Sequence, residues 1–163
     1  MSGGSVERVR AALLAAGHPD TVTSFPDGTR SAAEAAAAVG CTVAQIAKSI
    51  VFRAGERPLL VIASGANRVD MAKAGAALNG GGGPMFHVKR ADGGWVRDVT
   101  GFAIGGVAPL GHLTPPLVLL DEDLFRHDQV WAAAGSPMHV FATTPEALLR
   151  LSGGVRADVR EDA

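Results

Sequence analysis

The sequence predicts a single α+β domain built on a mixed sheet. Three observations carry that prediction. Strand-type and helix-type stretches interleave without the regular alternation of a parallel α/β fold. Two β-type runs, Ile50-Val51-Phe52 and Leu59-Leu60-Val61-Ile62-Ala63, are joined by Ala54-Gly55-Glu56-Arg57-Pro58, the composition of a hairpin loop. Finally, 163 residues that are 47% hydrophobic, with mean hydropathy +0.20, suffice to bury one core and argue against global disorder. No internal repeat or interdomain linker is visible, so residues 1–163 are read as one domain, with 1–5 and 160–163 expected to fray.

Val6, Val9 and Leu13 recur at helical spacing, Gly17 is placed to end that helix, and His18-Pro19 forces an extended exit. Thr21–Phe25 alternates as a short strand, and Pro26-Asp27-Gly28 is turn chemistry. Ser31 with Glu34, and Thr42 with Gln45, both have capping-box spacing. Two helices are therefore expected. The first covers Ala32 to Ala38 and closes at Val39-Gly40. The second places Val43, Ile46, Ala47 and Ile50 on one face. Lys48 lies away from that apolar face, which leaves two readings. It is a solvated lysine beside a helix C-terminus, where a cation is favourable. Or it projects from a helix–strand junction into a cleft, to hold a carbonyl or phosphate oxygen.

Leu59–Ala63 is apolar throughout, as in a central strand covered on both faces. Ser64-Gly65-Ala66-Asn67 follows as a polar turn and a candidate pocket edge, and Asp70 is placed to cap a helix through Leu78. Gly80–Gly83 and Pro84 lack the Gly-Lys-Ser/Thr of a phosphate loop and read as a mobile surface loop. Phe86-His87-Val88 forms a short strand, and Asp92 caps a helix carrying Trp95, Val96 and Val99 that stops at Gly101. Further on, Leu117–Leu120 is a strand ending at Asp121, Val130–Ala134 a helix stopping at Gly135, and Val140-Phe141-Ala142 a strand. Thr144-Pro145-Glu146 opens a last helix anchored by Leu148, Leu149 and Leu151, and Val155–Val159 adds an edge strand.

The segment 101–111, Gly-Phe-Ala-Ile-Gly-Gly-Val-Ala-Pro-Leu-Gly, holds four glycines and one proline among apolar residues. A flexible linker would carry Ser, Asn or charge instead. The segment reads as a shaped apolar loop that presents backbone N–H and C=O groups, either as a pocket wall or as a tight turn between buried elements.

Side-chain chemistry is sparse. No Cys/His set has zinc spacing, so no metal and no cofactor are expected. The five histidines are scattered, and neither a G-x-S-x-G elbow nor an H-E-x-x-H pair occurs. Asp121-Glu122-Asp123 reads as a metal site or, more simply, a polar turn or helix start. Cys41 near a helix start is either a small structural residue or a thiol of lowered pKa. If the chain is an enzyme, catalysis leans on positioning, backbone dipoles and groups brought by the substrate.

Net charge of −1 excludes a global basic field, so DNA is not an expected partner and any nucleic-acid contact is local. Residues 51–100 hold seven Lys/Arg against four acids, enough to meet a few phosphates or simply a solvated surface. No apolar run approaches the roughly 18 residues of a membrane span. Met1-Ser2-Gly3-Gly4-Ser5 lacks a signal pattern, and a lone cysteine fits a reducing cytoplasm.

Gln45-Ile46-Ala47-Lys48-Ser49-Ile50-Val51-Phe52 and Thr100–Gly111 together resemble the YbaK / prolyl-tRNA-synthetase-associated editing domain family. So do Ala133-Ala134-Gly135-Ser136 and Thr144–Leu149. The match runs in order over roughly 20–159. Its paired signature is a lysine closing the helix before a strand and, later, a G-x-x-x-P loop with Gly105 and Pro109. The resemblance implies a mixed, partly closed β-sheet flanked by helices. It implies a free-standing hydrolase that deacylates mischarged tRNA, mostly tRNA(Pro) carrying Cys, Ala or a similar small residue. A tRNA acceptor end would then be the partner, with a prolyl-tRNA synthetase as a second. Lys48 would be the catalytic residue, contacting the substrate near the scissile ester or the terminal adenosine. Gly101, Phe102, Ile104, Gly105, Gly106, Val107, Ala108 and Pro109 would form the loop that holds the aminoacyl group, with Gly135 and Ser136 lining the same pocket. In this family the vicinal ribose hydroxyl is thought to assist, which suits a chain without a triad. The competing reading is a non-catalytic module that binds an acceptor end or a synthetase.

Overall fold

Among the described residues eight strands form one mixed sheet, in the order β1 (Val22–Ser24), β7 (His139–Thr143), β6 (Val130–Ser136), β2 (Ile46–Ala54), β3 (Arg57–Ser64), β5 (Leu117–Asp121) and β8 (Val155–Ala157), with β4 (Val88–Arg90) pairing β2 off that path. The computed structural model describes residues 2–25, 31–80 and 86–162. The Gly81–Gly83 part of the glycine run and the 26–28 turn fall outside them. The helices are α1 (Ser2–Ala15), α2 (Ala32–Val39), α3 (Met71–Asn79), α4 (Gly93–Thr100) and α5 (Pro145–Ser152). The sheet stays open, with β1 and β8 at its ends.

Local chemistry explains most boundaries. Val6, Val9 and Leu13 are the buried stripe of α1, as their spacing requires. Ser31 Oγ accepts from the Glu34 N–H at the start of α2, Asp70 from Ala72 and Lys73 at α3, Asp92 from Trp95 at α4, and Thr144 from Ala147 at α5. Leu59 to Ala63 are fully buried in β3, which lies between β2 and β5. One core forms between the sheet and α1, α4 and the 101–111 loop. A second lies under α3, around Phe52, Val61 and Ala74.

Two expected helices are strands. The Thr42–Gln45 pair does close a box, with Thr42 N donating to Gln45 Oε1 at 3.0 Å, but it opens only the single 3-10 turn Val43–Gln45. From Ile46 the chain runs as β2, laddered to β3 over eight residue pairs from Ala47↔Ser64 to Ala54↔Arg57. A helix of two turns is marginal alone, and β-branched Ile46, Ile50 and Val51 suit the ladder. Lys48 therefore stands mid-strand, not at a helix end. Val130–Ala134 is likewise part of β6, paired with both β2 and β7. Its alanines read as helix formers, yet Val130, Ala132 and Ala134 are buried while Trp131 and Ala133 are half-buried, the period of a strand.

The chain ends expected to fray are held. Helix α1 begins at Ser2. Near the C-terminus Glu161 N donates to Arg68 O at 2.7 Å, and Lys73 Nζ lies 3.1 Å from Asp158 and 2.9 Å from Asp162.

The decisive topological feature is a fork at β2. One edge of β2 pairs β3 throughout. The other edge pairs β6 only at Ile46 and Ala47, and β4 only from Phe52 to Ala54. Between these the edge carries no ladder partner. The Ile46 carbonyl accepts from Gly65 N on the β3 side, so by alternation Ser49 and Val51 turn their N–H and C=O toward the open edge.

Candidate active site at the fork of the sheet

A cleft of about 310 Å³ occupies the fork, lined by Ile46 to Ser49 of β2, Gly105 and Val107 of the loop, Trp131 to Ala133 of β6, and Ala32 and Ala35 of α2. A second cavity of about 230 Å³ adjoins it, bounded by Ile50, Val51, Phe52, Val96, Ile104 and Arg90. Ser49, Gly105 and Val107 border both. Alternation puts the Lys48 side chain on the face that carries Ile50 and Phe52, and Ser49 on the opposite face. Both line the first cleft, so the cleft reaches around the unpaired edge of the strand.

Lys48 Nζ donates to the backbone carbonyl of Asn67 at 2.5 Å. Partial burial lowers its pKa from the ordinary lysine value. The Arg68 charge pushes the same way, and Asp121 opposes both. The Ser49 hydroxyl oxygen is buried and has no hydrogen-bond partner among the described residues, which is costly for a buried hydroxyl; Ser49 borders both cavities.

The loop is fixed from behind. Arg8 on α1 donates from Nε to Gly111 O at 2.6 Å and from Nη2 to Gly101 O at 3.0 Å, so one guanidinium ties both loop ends. The same group lies 4.6 Å from the centre of the Phe102 ring. His112 meets that ring edge-on at 5.1 Å and bonds Ala108 O through Nε2 at 2.6 Å. Burial holds the His112 pKa below the usual histidine value, with the Ala108 bond opposing and the Arg8 charge reinforcing. In front, Gly106 sits against the β6–β7 turn, where a Cβ would come within 2.7 Å of Ser136 Cα.

The expected site residues thus divide by position. Lys48, Gly105 and Val107 line the main cleft, and Ile104 lines its neighbour. Gly101 caps α4, while Phe102, Ala108 and Pro109 are buried beneath the loop. Gly106 is the contact with β6. Gly135 packs on α1, where a Cβ would meet Ser5 O at 2.8 Å. Ser136 is buried, and its hydroxyl is engaged by His139 Nδ1 at 2.7 Å and by Met138 N at 3.0 Å. Local sequence did not mark Ser49, Arg8 or His112. Correct register for β2 would have placed Ser49 beside Lys48 on the same open edge.

Several other expectations resolve. Burial raises the Cys41 pKa, with its own backbone bond opposing, so this thiol is not activated. Asp121-Glu122-Asp123 is the start of a short 3-10 helix, Glu122–Arg126, where Asp121 is the cap and its carboxylate accepts from Ser64 N and Asp123 N. His18 is buried, bonded to Thr143 Oγ1 at 3.0 Å and packed edge-on against Phe141. No helix among the described residues is long and apolar enough to cross a membrane.

Comparison with known proteins agrees with this geometry. The aminoacyl-tRNA editing domain model matches residues 26–151, most of the chain. This chain belongs to the aminoacyl-tRNA editing domain family. Membership carries an editing role on aminoacyl-tRNA. A curated relative, the uncharacterized protein YwhH of Bacillus subtilis (strain 168), is 30% identical over 149 residues, covering 91% of each chain. Among solved structures, a candidate trans-editing enzyme for prolyl-tRNA synthetase is 45% identical. It superposes at TM-score 0.87, over 97% of this chain and 98% of that one. A scaffold protein used for computational epitope grafting is 43% identical at TM-score 0.88, with the same coverage. A third, the hypothetical protein APE2540, shares the fold at TM-score 0.81 and 24% identity, over 94% of this chain and 99% of that one. In this chain the open strand edge, the glycine-rich loop and Lys48 border one cleft.

Proposed function

We propose that this editing domain is a free-standing deacylase of mischarged tRNA, acting on tRNA(Pro) that carries a small non-cognate amino acid such as Cys or Ala. The observation that supports this reading is a small cleft lined by Lys48 and Ser49 of the open strand and by Gly105 and Val107 of the loop, with the Lys48 ammonium held on the Asn67 carbonyl. A cleft this narrow suits an aminoacyl group on a terminal ribose better than duplex RNA. The tie to tRNA(Pro) is supported by the resemblance of the Lys48 and Gly105–Pro109 segments, and by a solved relative described in terms of prolyl-tRNA synthetase.

In this reading water attacks the ester carbonyl carbon. The bond from that carbon to the ribose oxygen breaks, the amino acid leaves as its carboxylate, and the ribose oxygen regains a proton. Lys48 stabilises negative charge at the reacting end. Ser49 and the open N–H groups of β2 orient the ribose or the water, and the loop excludes larger side chains. The vicinal ribose hydroxyl serves as the proton carrier that the protein's own side chains do not provide. A reducing cytoplasm, where tRNA is charged, is the proposed location.

The test is deacylation of tRNA(Pro) charged separately with Ala, Cys, Ser, 2-aminobutyrate and Pro. The expected result is release of one small non-cognate residue with Pro spared. In Lys48→Ala, kcat should drop roughly a hundredfold or more with the circular-dichroism spectrum unchanged, as for loss of one oxyanion donor. Binding of charged tRNA without release of any residue would instead make the chain a recognition module.

A further inference from the structure

Lys48 does not stand free in the cleft. The carbonyl that receives its ammonium belongs to Asn67, in the turn after β3, and that turn is anchored with unusual thoroughness. Asn67 Nδ2 donates to Asp121 Oδ2 and to Asp123 Oδ2, each at 2.8 Å. Asp121 is fully buried and accepts three N–H groups, from Asn67, from Ser64 N at 3.1 Å and from Asp123 N at 2.9 Å. Asp123 is held in turn by Arg160 at 2.7 Å and Arg126 at 3.2 Å. The Asn67 bond first, and then Arg160, keep the Asp123 carboxyl below the usual carboxylate range against the opposing effect of burial. The chain after β8 closes over the same turn, where Asp70 N donates to Val159 O at 2.8 Å.

We propose that Asn67 and Asp121 are positioning residues for Lys48, an inference that rests on the deacylase reading above. A lysine side chain carries about 2 kcal/mol of rotamer entropy and presents its charge without a fixed direction. Tying one ammonium N–H to a fixed carbonyl gives the charge a defined place beside the cleft that Lys48 lines. The carbonyl is fixed only because its own side chain is locked to a buried carboxylate. A buried carboxylate is expensive, and on average stabilises a fold no better than apolar packing. Its presence here is explained by what it orients. The arrangement resembles the outer hydrogen bonds that direct a metal ligand, with an ammonium in place of the metal.

The experiment compares Asn67→Ala, Asp121→Asn and Arg160→Ala with the parent on the charged tRNA that the parent hydrolyses. Asn67→Ala keeps the carbonyl but frees it. A misplacement of the order of an ångström costs roughly a hundredfold in rate, so kcat should fall between tenfold and a hundredfold, with KM changed less than threefold. Asp121→Asn should act in the same direction with a lower melting temperature, because one of its three N–H donors would then face an amide N–H. Arg160→Ala removes only the outer, half-exposed arm, and should slow kcat a fewfold.

A second readout needs no tRNA. The rate of reductive methylation of Lys48, taken relative to exposed Lys89, should rise severalfold in Asn67→Ala. Parental kcat in a folded Asn67→Ala protein overturns the proposal, and so does a change confined to KM or an unaltered Lys48 labelling ratio. If Asn67→Ala does not fold, Arg160→Ala decides by the same two measurements. An inactive parent enzyme defeats the deacylase reading, while the labelling ratio still reports whether Asn67 holds the lysine.

Discussion

The two walls of the cleft are built on opposite principles. The loop wall, 101–111, is apolar and is shaped by close approach. Gly106 lies on Ser136, Phe102 and Ala108 are buried behind it, and one guanidinium ties its ends. The lysine wall is polar and is shaped by charge. Lys48 leans on Asn67, Asn67 on Asp121 and Asp123, and Asp123 on Arg160. A loop held by packing responds steeply to added volume and weakly to salt or pH. A side chain held by a polar network responds to charge and hydrogen-bond geometry. The difference suits the two tasks of the proposed deacylase, which are to reject a side chain by size and to stabilise charge at an ester.

The sharpest way to break this contrast is to add one carbon to the loop wall. A Cβ at residue 106 would lie 2.7 Å from backbone atoms that cannot step aside cheaply, and one at residue 135 would lie 2.8 Å from Ser5 O at a φ of +99°. Overpacking of this kind costs about 1–3 kcal/mol. Gly106→Ala and Gly135→Ala should each lower the melting temperature by several degrees and abolish measurable deacylation. The Asn67→Ala protein, by contrast, gives up two hydrogen bonds to carboxylates without any steric clash, so it should lose rate in a folded protein whose melting temperature falls less than that of the glycine variants. Thermal melts on the three variants check this. Unchanged melting of Gly106→Ala would show that the loop is not packed as described.

Next in size is Arg8. Arg8→Ala removes two carbonyl bonds and the Phe102 stacking. Hydrogen bonds to charged groups contribute about 1.5–3 kcal/mol, so a comparable loss of stability is expected. KM for the charged tRNA should rise more than kcat falls, because the loop shapes the binding of the aminoacyl group. Arg8→Lys cannot span both carbonyls and should recover less than half of the loss. Full recovery would mean that charge, not geometry, holds the loop.

How far the sequence foretold each wall follows the same division. The loop was legible because its glycines, Pro109 and apolar residues are contiguous and can be read without knowing the fold. Most helix starts were legible too, because Ser31, Asp70, Asp92 and Thr144 are local caps. The strand edge beside Lys48 was not. Ile46, Ala47 and Ile50 satisfy a helical spacing as well as a strand. Only the long-range ladder to β3 decides between the two, and eight paired residues outweigh a short helical pattern. The alanines of β6 hid its strand in the same way. The Asn67–Asp121 link joins residues 54 positions apart, so neither position signals the other. The turn at Ser64–Asn67 was recognisable as a pocket edge, but not as the seat of the lysine.

A smaller effect sharpens the polar wall. Burial and Arg68 lower the Lys48 pKa, with Asp121 acting in opposition. A lowered pKa means the ammonium is lost at a lower pH than an ordinary lysine would lose it. After subtraction of spontaneous ester hydrolysis, kcat should therefore decline on the alkaline side before the ordinary lysine range is reached. In Arg68→Ala one of the depressing influences is gone, so that decline should move to higher pH. Asp121→Asn removes the opposing charge and should move it lower. A pH profile of kcat for the three proteins reads the sign directly, and shifts in the reverse order would assign the alkaline limb to another group.

The smallest effect lies at the rim, where neither principle of construction applies. Lys89 and Arg90 of β4 are exposed and make no ion pair among the described residues, whereas Arg53 beside them is shared between Glu56 at 3.3 Å and the Trp95 ring at 4.5 Å. Arg90 also borders the second cavity, which shares Ser49, Gly105 and Val107 with the cleft. If the acceptor end crosses this rim, two phosphates meet these two cations. For a single strand, each such contact adds about 0.7 to the slope of log affinity against log salt. Lys89→Ala with Arg90→Ala should therefore flatten the salt dependence of kcat/KM on charged tRNA by about 1.4 units and weaken binding severalfold at low salt, with kcat unchanged. Hydrolysis of an aminoacyl-adenosine, which has no phosphate at the rim, should be the same in the parent and the double variant. A loss on that small substrate would move these residues from the nucleic-acid path into the wall of the site itself.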